Sequence, residues 1–274
     1  MKQKQAWLLS TAKRWLVWFL LASLFAVVCV LLSQWQFNRR AEALAKIQSI
    51  AENYDQPAIE LAQIADLNSF NENTEWRPVV LEGRFVPEKA VLVRNRPYNG
   101  QPGFLQVVPF KTNSGAVVAV ETGWLPTGSD NNEPDVVPLS ISNQQEIIGR
   151  LRPQEPTLNR DAPAGQIATI NVDSLIEKVQ IKGPVYSKLY VRLAGSYSNT
   201  ELPKVLLKPD LTEGNHLSYA LQWILFALMA FAALWWAVNQ ELQAQRASSD
   251  KNFKPKMRKK IGDDDKNAED GLLA

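Results

Sequence analysis

Two long apolar segments interrupt an otherwise mixed pattern of hydrophobic and polar residues. Trp15 to Leu32 is an uncharged run of 18 residues, and Leu217 to Val238 is a second uncharged run of 22 residues. Each run meets the length of about 20 residues that a helix needs to cross a hydrocarbon core about 30 Å thick. The pattern therefore predicts transmembrane helices at 15–32 and 217–238, with a domain at 33–216 between them.

The first apolar segment has the features of an uncleaved signal anchor. Basic residues precede it, as in a secretory signal, but no small-x-small cleavage site follows it. The lone Cys29 lies between Val28 and Val30, which is a poor lipoprotein site. Residues 1–14 are too few for an Arg-rich transit peptide. We therefore expect this segment to stay in a bacterial inner membrane.

The basic residues that flank the two spans predict their orientation. Eleven Lys and Arg residues lie on the sides of the two termini, four in 1–14 and seven in 239–260, against five on the inner flanks. Such an excess marks the cytoplasmic side. Both termini are thus predicted in the cytoplasm and 33–216 in the periplasm, with 239–274 as a charged, disordered cytoplasmic tail.

The central domain changes from helical to strand periodicity along its length. The predicted helices are 39–50, 58–65 and 173–178, and the predicted strands are 78–86, 90–96, 104–111, 116–124, 144–151 and 189–196. The first two strands read as a hairpin, as do the next two, and 126–143 reads as a Pro/Asp/Asn-rich loop. This order predicts an α+β domain built on an antiparallel β-barrel-like or curled sheet.

Composition excludes several classes of protein. The central domain has 18 Lys and Arg residues against 21 Asp and Glu residues, so nothing favours nucleic-acid binding. It has no cysteine and only one histidine, so Ser-His-Asp, Cys-His and His-rich zinc sites are not indicated. Neither a spaced carboxylate pair nor a phosphate-binding glycine loop stands out. These observations favour a protein that is not an enzyme.

His216, the only histidine in 274 residues, is the main candidate for chemistry. It begins the second apolar span, and on a helix it shares one face with Tyr219, Ala220 and Trp223. An imidazole at a membrane boundary suits a metal or haem ligand. It equally suits an interfacial residue that caps the helix. Tyr219 and Trp223 fit either picture, because aromatic side chains gather at membrane interfaces.

A second pattern in the spans is a stripe of small residues. Ala22, Ala26, Cys29 and Ser33 fall on one face of the first predicted helix, and alanines continue the His216 face of the second. Small residues let membrane helices approach closely. The two spans are therefore expected to pack together or against another membrane protein, unless the stripe reflects only how common alanine is in such helices.

Several short segments, taken in order, resemble a known family. They are Leu32-Ser33-Gln34-Trp35-Gln36 with Arg39, Val79-Val80-Leu81-Glu82-Gly83-Arg84-Phe85, Val93-Arg94-Asn95-Arg96, Gln101-Pro102-Gly103-Phe104, Glu121-Thr122-Gly123-Trp124-Leu125-Pro126, and Asn215-His216-Leu217-Ser218-Tyr219-Ala220-Leu221-Gln222-Trp223. The chain resembles the SURF1 (Shy1) family of cytochrome c oxidase assembly factors over nearly its whole length.

The resemblance implies a role in inserting haem a into subunit I of the oxidase. It makes His216 the candidate axial ligand of the haem iron and Tyr219 and Trp223 the candidate walls of the site. The implied partners are oxidase subunit I and the machinery that makes haem a. With one histidine per chain, bis-imidazole ligation would need a homo-oligomer or a partner's histidine. Thr122 stands where the family has an arginine, so any role of that arginine is in doubt here.

Two hypotheses follow. In the first, the protein holds haem a at His216 and passes it to the oxidase. In the second, it is a scaffold that stabilises an assembly intermediate by protein contacts, without haem. Arg84, Arg94 and Arg96 are candidate contacts for propionates or an acidic partner, although a solvated strand face explains them equally well.

Overall fold

The computed structural model of the protein describes residues 2–129, 133–138, 142–158, 160–195 and 203–249, with only the backbone for 2–10. The chain divides into two compact units. The helical unit contains the residues up to Ala41 and those from Gly214 onward, and the β unit is Glu42–Glu213.

Over the described residues, four α-helices and eight β-strands follow one another along the chain. They are α1 (Lys2–Asn53), β1 (Ile59–Glu60), α2 (Leu61–Ile64), β2 (Pro78–Phe85), β3 (Val91–Val93), β4 (Gly103–Thr112), β5 (Val117–Pro126), β6 (Gln145–Pro153), β7 (Gln166–Ile167), α3 (Val172–Val179), β8 (Val185–Leu193) and α4 (His216–Ser249).

The two predicted spans lie in helices that are longer than expected. The predicted segments 15–32 and 39–50 both belong to α1, because residues 33–38 contain no glycine or proline to end the helix. Helix α4 starts at His216 and continues past 238 to Ser249, so part of the predicted disordered tail is helical. The rest of that tail, 250–274, lies outside the described residues. Both helices are long and apolar enough to cross a membrane.

The β unit is built on a closed ring of five strands. Strand β2 pairs with β6, β6 with β8, β8 with β5, β5 with β4, and β4 returns to β2. Closure occurs where 83–85 of β2 pair with 110–112 of β4. All pairs in the ring are antiparallel except β5–β8, which is parallel. The predicted α+β fold on a barrel-like sheet is confirmed.

The predicted hairpin between the first two strands is wrong. Strand β3 is only 91–93, and it pairs with 105–107 of β4 and with β7 instead of with β2. Both edges of β2 near its end are already occupied, since Gly83 faces Gln145 on one side and Thr112 on the other. A 3₁₀ turn at Pro87–Lys89 then carries the chain to the far half of β4.

Other local predictions fare unevenly. The hairpin β4–β5 and the helix α3 are confirmed at nearly the predicted positions. The predicted helix 58–65 is wrong over its first half, where β1 instead runs parallel to β2. Strand β8 begins four residues earlier than the predicted 189. Residues 127–129 and 133–138 are irregular as expected, and 130–132 and 139–141 of that predicted loop lie outside the described residues.

Two apolar clusters form the core of the β unit. The cluster inside the ring takes alternate residues from its five strands, including Val79, Leu81, Phe85, Val108, Phe110, Val118, Val120, Leu151, Leu189 and Val191. The second cluster lies between the outer face of β3, β4, β5 and β8 and helix α3, and it includes Trp124 and Tyr190. Strand β5 is thus buried on both faces, in agreement with its nearly continuous apolar sequence.

Candidate functional site

Helices α1 and α4 pack against each other as an antiparallel pair within the helical unit. Phe19 meets Phe231 with ring centroids 6.2 Å apart, and further along the pair Ser33 Oγ donates to the Ala220 carbonyl at 3.0 Å. Cys29, Ser33 and Ala220 are buried there. The predicted stripe of small residues therefore lies at this contact, where it allows close approach of the two backbones.

Ala220→Leu is expected to destabilise the helix pair by about 1–3 kcal/mol, because a larger side chain at a fully buried position forces the helices apart. The measurement is thermal denaturation of the full chain in mild detergent. Leu221, which is 54% exposed, offers the matched control, and Leu221→Phe should leave the midpoint unchanged. An unchanged midpoint for Ala220→Leu would contradict close packing at this position.

The first residue of α4 is His216, and its ring is half-buried against α1. Its Nδ1 atom lies 3.0 Å from Oε1 of Gln36, a residue one turn beyond Ser33 on the same side of α1. Gly214, with a φ of +67°, turns the chain into the helix, and the Tyr219 N–H bonds to the Asn215 carbonyl in the first turn. The helix pair thus fixes the position of this imidazole.

The other two predicted site residues differ in their placement. Trp223 is half-buried two turns after His216, on the side of α4 that packs against α1, and its ring lies edge-on to Phe226 at 5.7 Å. Tyr219 is 50% exposed and points away from that contact. The structure therefore brings His216 and Trp223 to one side of the helix and leaves Tyr219 on the outer surface.

A buried ion pair joins two neighbouring strands of the barrel in the β unit. Glu121 of β5 has a fully buried side chain, and its Oε1 lies 2.8 Å from Nε of Arg192 on β8. Burial raises the pKa of Glu121, against the attraction of Arg192 and then Arg152. Trp76, whose backbone has a φ of +69°, lies under both guanidinium groups, with Arg152 3.9 Å from its ring centroid.

The arginines that were candidate contacts have different environments. Arg84 is exposed, whereas Arg96 makes a bidentate salt bridge to Glu155. Burial alone would raise the pKa of Glu155, but hydrogen bonds from Arg96 and from the Ile170 N–H outweigh it and lower that pKa. Arg94 is half-buried and lines a cleft of 610 Å³ together with Arg96 and Arg160. Arg94 is therefore better placed than Arg96 to meet an external acidic group.

Thr122, where the resemblance implies an arginine, lies inside the protein. Thr122 is buried, and its Oγ1 donates to Oε1 of Gln106 at 2.8 Å. The Gln106 amide in turn donates to the Pro138 carbonyl at 2.7 Å. In this chain Thr122 is thus part of an internal hydrogen-bond chain and does not present its side chain to a partner.

Sequence reasoning missed Gln36 as a neighbour of the histidine. The two residues are 180 positions apart, and no local pattern links them. A polar residue on the small-residue face of α1 was the available signal, since Gln36 follows Cys29 and Ser33 at helical spacing. Over the part of the chain that the structure describes, no group of three or more His, Cys, Asp or Glu side chains could hold a metal ion.

Two helices that are long and apolar enough to cross a membrane, with a closed five-stranded barrel in the intervening segment, define a class of proteins with two candidate spans and a β domain between them in sequence. The profile of the SURF1 family matches residues 23–228, which include the whole barrel together with Gln36, His216 and Trp223. The chain belongs to the SURF1 family, whose members are known as oxidase assembly factors.

Curated relatives agree with this family. The chain is 29% identical over 244 residues to an uncharacterized SURF1-like protein of Mycobacterium tuberculosis (strain H37Rv), covering 85% of this chain and 86% of the relative. A SURF1-like protein of Rickettsia bellii is 29% identical over 205 residues, or 72% of this chain and 80% of the relative. One of Rickettsia prowazekii is 27% identical over 221 residues, with 77% and 84% covered.

Proposed function

We propose that this protein is an assembly factor for a haem-copper terminal oxidase that binds haem a through His216 and aids its insertion into subunit I. The observation that carries the proposal is the placement of the chain's only histidine. His216 is half-buried at the start of α4, and its Nδ1 faces Gln36. The contact with Gln36 engages Nδ1, so Nε2 is the ring nitrogen that would bind a metal.

The residues around His216 fit a haem. Imidazole is a common axial ligand of haem iron, and when bound the haem a supplies the redox-active centre that the oxidase requires. Trp223, on the same side of α4, would offer an apolar ring to the haem. Tyr219 is exposed on the outer surface of α4, where it would contribute less to the site than Trp223. His216 would thus hold the iron, and Trp223 would help to orient the haem.

The location follows from the same proposal. The two apolar helices cross the bacterial inner membrane, both termini lie in the cytoplasm, and the β unit lies in the periplasm. The partners are oxidase subunit I and the haem a synthesis machinery. A second axial imidazole would come from another copy of this chain or from a partner, since each chain has one histidine.

His216→Ala is expected to abolish haem a binding while the protein still inserts and folds. The measurement is the visible spectrum of the full chain, purified in mild detergent after expression with and without haem a synthesis. Ser218→Ala, an exposed neighbour on the same helical turn, is the matched control and should keep the wild-type Soret band. Loss of the band in His216→Ala alone supports the carrier function.

Absence of a Soret band from wild-type protein after co-expression would overturn haem binding and leave the scaffold function. Arg94 then becomes the residue to test, because it lines a cleft together with Arg96 and Arg160. In that case Arg94→Glu should abolish capture of the oxidase intermediate, whereas the exposed Arg84→Glu should be tolerated.

A further inference from the structure

The contact between His216 and Gln36 determines which nitrogen of the imidazole carries the proton. The amide oxygen of Gln36 lies 3.0 Å from Nδ1 of the imidazole. A carboxamide oxygen only accepts hydrogen bonds, so this contact requires a proton on Nδ1. A neutral imidazole carries one proton, and its Nε2 then has the lone pair that binds a metal.

The Nε2 edge of the ring lies next to Gly214. A Cβ atom built on Gly214 would be 3.6 Å from both Nε2 and Cδ2 of His216. The φ of +67° at this position favours glycine, whose missing side chain leaves the Nε2 edge uncovered by this residue. The chain therefore occupies the Nδ1 edge of the imidazole with an acceptor and keeps its own side chain away from Nε2 at Gly214.

The location of Gln36 makes this acceptor rigid. It is half-buried on the side of α1 that packs against α4, one turn from the buried Ser33, which bonds to the Ala220 carbonyl. Ala220 is itself one turn after His216. The same helix contact that brings Ser33 to Ala220 thus brings Gln36 to His216, so both residues of the pair are held by packing.

We propose that Gln36 is the positioning residue of the haem-binding histidine, selecting the tautomer with a free Nε2 and fixing the plane of the ring. This inference rests on the proposed function. Metal-bound histidines generally donate their other N–H to such an acceptor, and removing it typically costs 10–100-fold in metal affinity or activity. Gln36 would accordingly control how tightly the haem is held without touching it.

Gln36→Leu, which keeps the size but removes the acceptor, is expected to weaken binding of ferric haem a by about 10–100-fold. Gln36→Glu keeps an acceptor for the Nδ1–H of His216. The hydrogen bond becomes stronger, because a carboxylate is a charged acceptor. We expect Gln36→Glu to restore affinity and to move the midpoint potential of the bound haem to a more negative value. The measurements are Soret titration of purified full-length protein in detergent and a redox titration of the haem-loaded form.

Ser33→Ala is the matched control, since it removes the neighbouring hydrogen bond between the helices and leaves the imidazole untouched. It should bind haem a as wild type does. If Gln36→Leu binds as tightly as wild type while His216→Ala does not bind, Gln36 has no positioning role and the proposed function stands. Equal losses in Gln36→Leu and Ser33→Ala would show a general effect of helix packing and would overturn the inference. Failure of wild type to bind would overturn the proposed function itself.

Discussion

Arg192→Met is expected to lower the free energy of unfolding of the β unit by about 3–5 kcal/mol. Methionine keeps much of the apolar volume of the side chain but removes the charge next to Glu121. The Glu121 side chain is 0% exposed, and Arg192 is its direct ionic partner at 2.8 Å. A carboxylate left without its direct partner inside the barrel wall keeps the cost of its lost hydration, which only the attraction of Arg152 and Arg96 then offsets.

The loss of unfolding free energy in Arg192→Met should depend on pH, and the direction of this dependence follows from the pKa of Glu121. Burial raises the pKa of Glu121 above its usual value of 4.5, so the folded protein binds this proton more tightly than the unfolded chain does. The stability contributed by the protonated form is complete below pH 4.5 and is lost as the pH rises through the folded-state pKa. Without Arg192 that pKa rises further, so the deficit should be small in acid and grow toward neutral pH.

Urea unfolding of the full chain in detergent, detected by pulse proteolysis of the β unit, measures both the loss of stability and its dependence on pH. The double variant Glu121→Gln/Arg192→Met is the control, because it removes the buried charge together with its partner. Its stability should lie well above that of Arg192→Met at pH 7 and change less with pH. Equal stability of the two variants at neutral pH would show that Glu121 does not carry a buried charge.

Trp124→Ala is expected to cost about 3–5 kcal/mol, comparable with other large-to-small changes in a core. The indole is 1% exposed and stands 5.6 Å from the ring of Tyr98. Its Nε1 donates to the Arg96 carbonyl at 2.6 Å, which ties β5 to the segment that carries Arg94 and Arg96. The alanine variant loses the packing and this hydrogen bond together.

Trp124→Phe separates the two contributions, since it keeps most of the apolar ring and removes only the N–H donor. We expect a loss of about 1–3 kcal/mol, the cost of leaving a partly buried carbonyl without its partner. The order of urea midpoints should be wild type, then Trp124→Phe, then Trp124→Ala. The same midpoint for both variants would mean that packing of this ring contributes nothing beyond the hydrogen bond.

Much of the fold was predictable because individual elements have local signals. The two apolar runs, the β4–β5 hairpin with its Asn-Ser-Gly turn, and helix α3 all carry such signals. The pairing of β2 with β4 and β6 has none, since it depends on closure of the ring by distant segments. The strands β1 and β7 have two residues each, too few for any periodicity to show.

The candidate site was predictable in part for the same reason. His216 stands out because it is the only histidine and begins an apolar span. Helical spacing put Tyr219 and Trp223 on its face, but the packing of α4 against α1 turns Tyr219 outward. Gln36 and the pair of Glu121 with Arg192 depend on contacts between distant segments, which a single sequence does not reveal.

The position of β8 in the ring has a consequence for how the protein is made. Strand β8 lies between β5 and β6, yet it is the last of the five ring strands to leave the ribosome. Until Val185–Leu193 has been synthesised, the neighbouring edges of β5 and β6 have no partner, and open strand edges promote aggregation. A premature stop codon before Val185 would therefore yield a chain that contains only four of the five ring strands and cannot close the barrel.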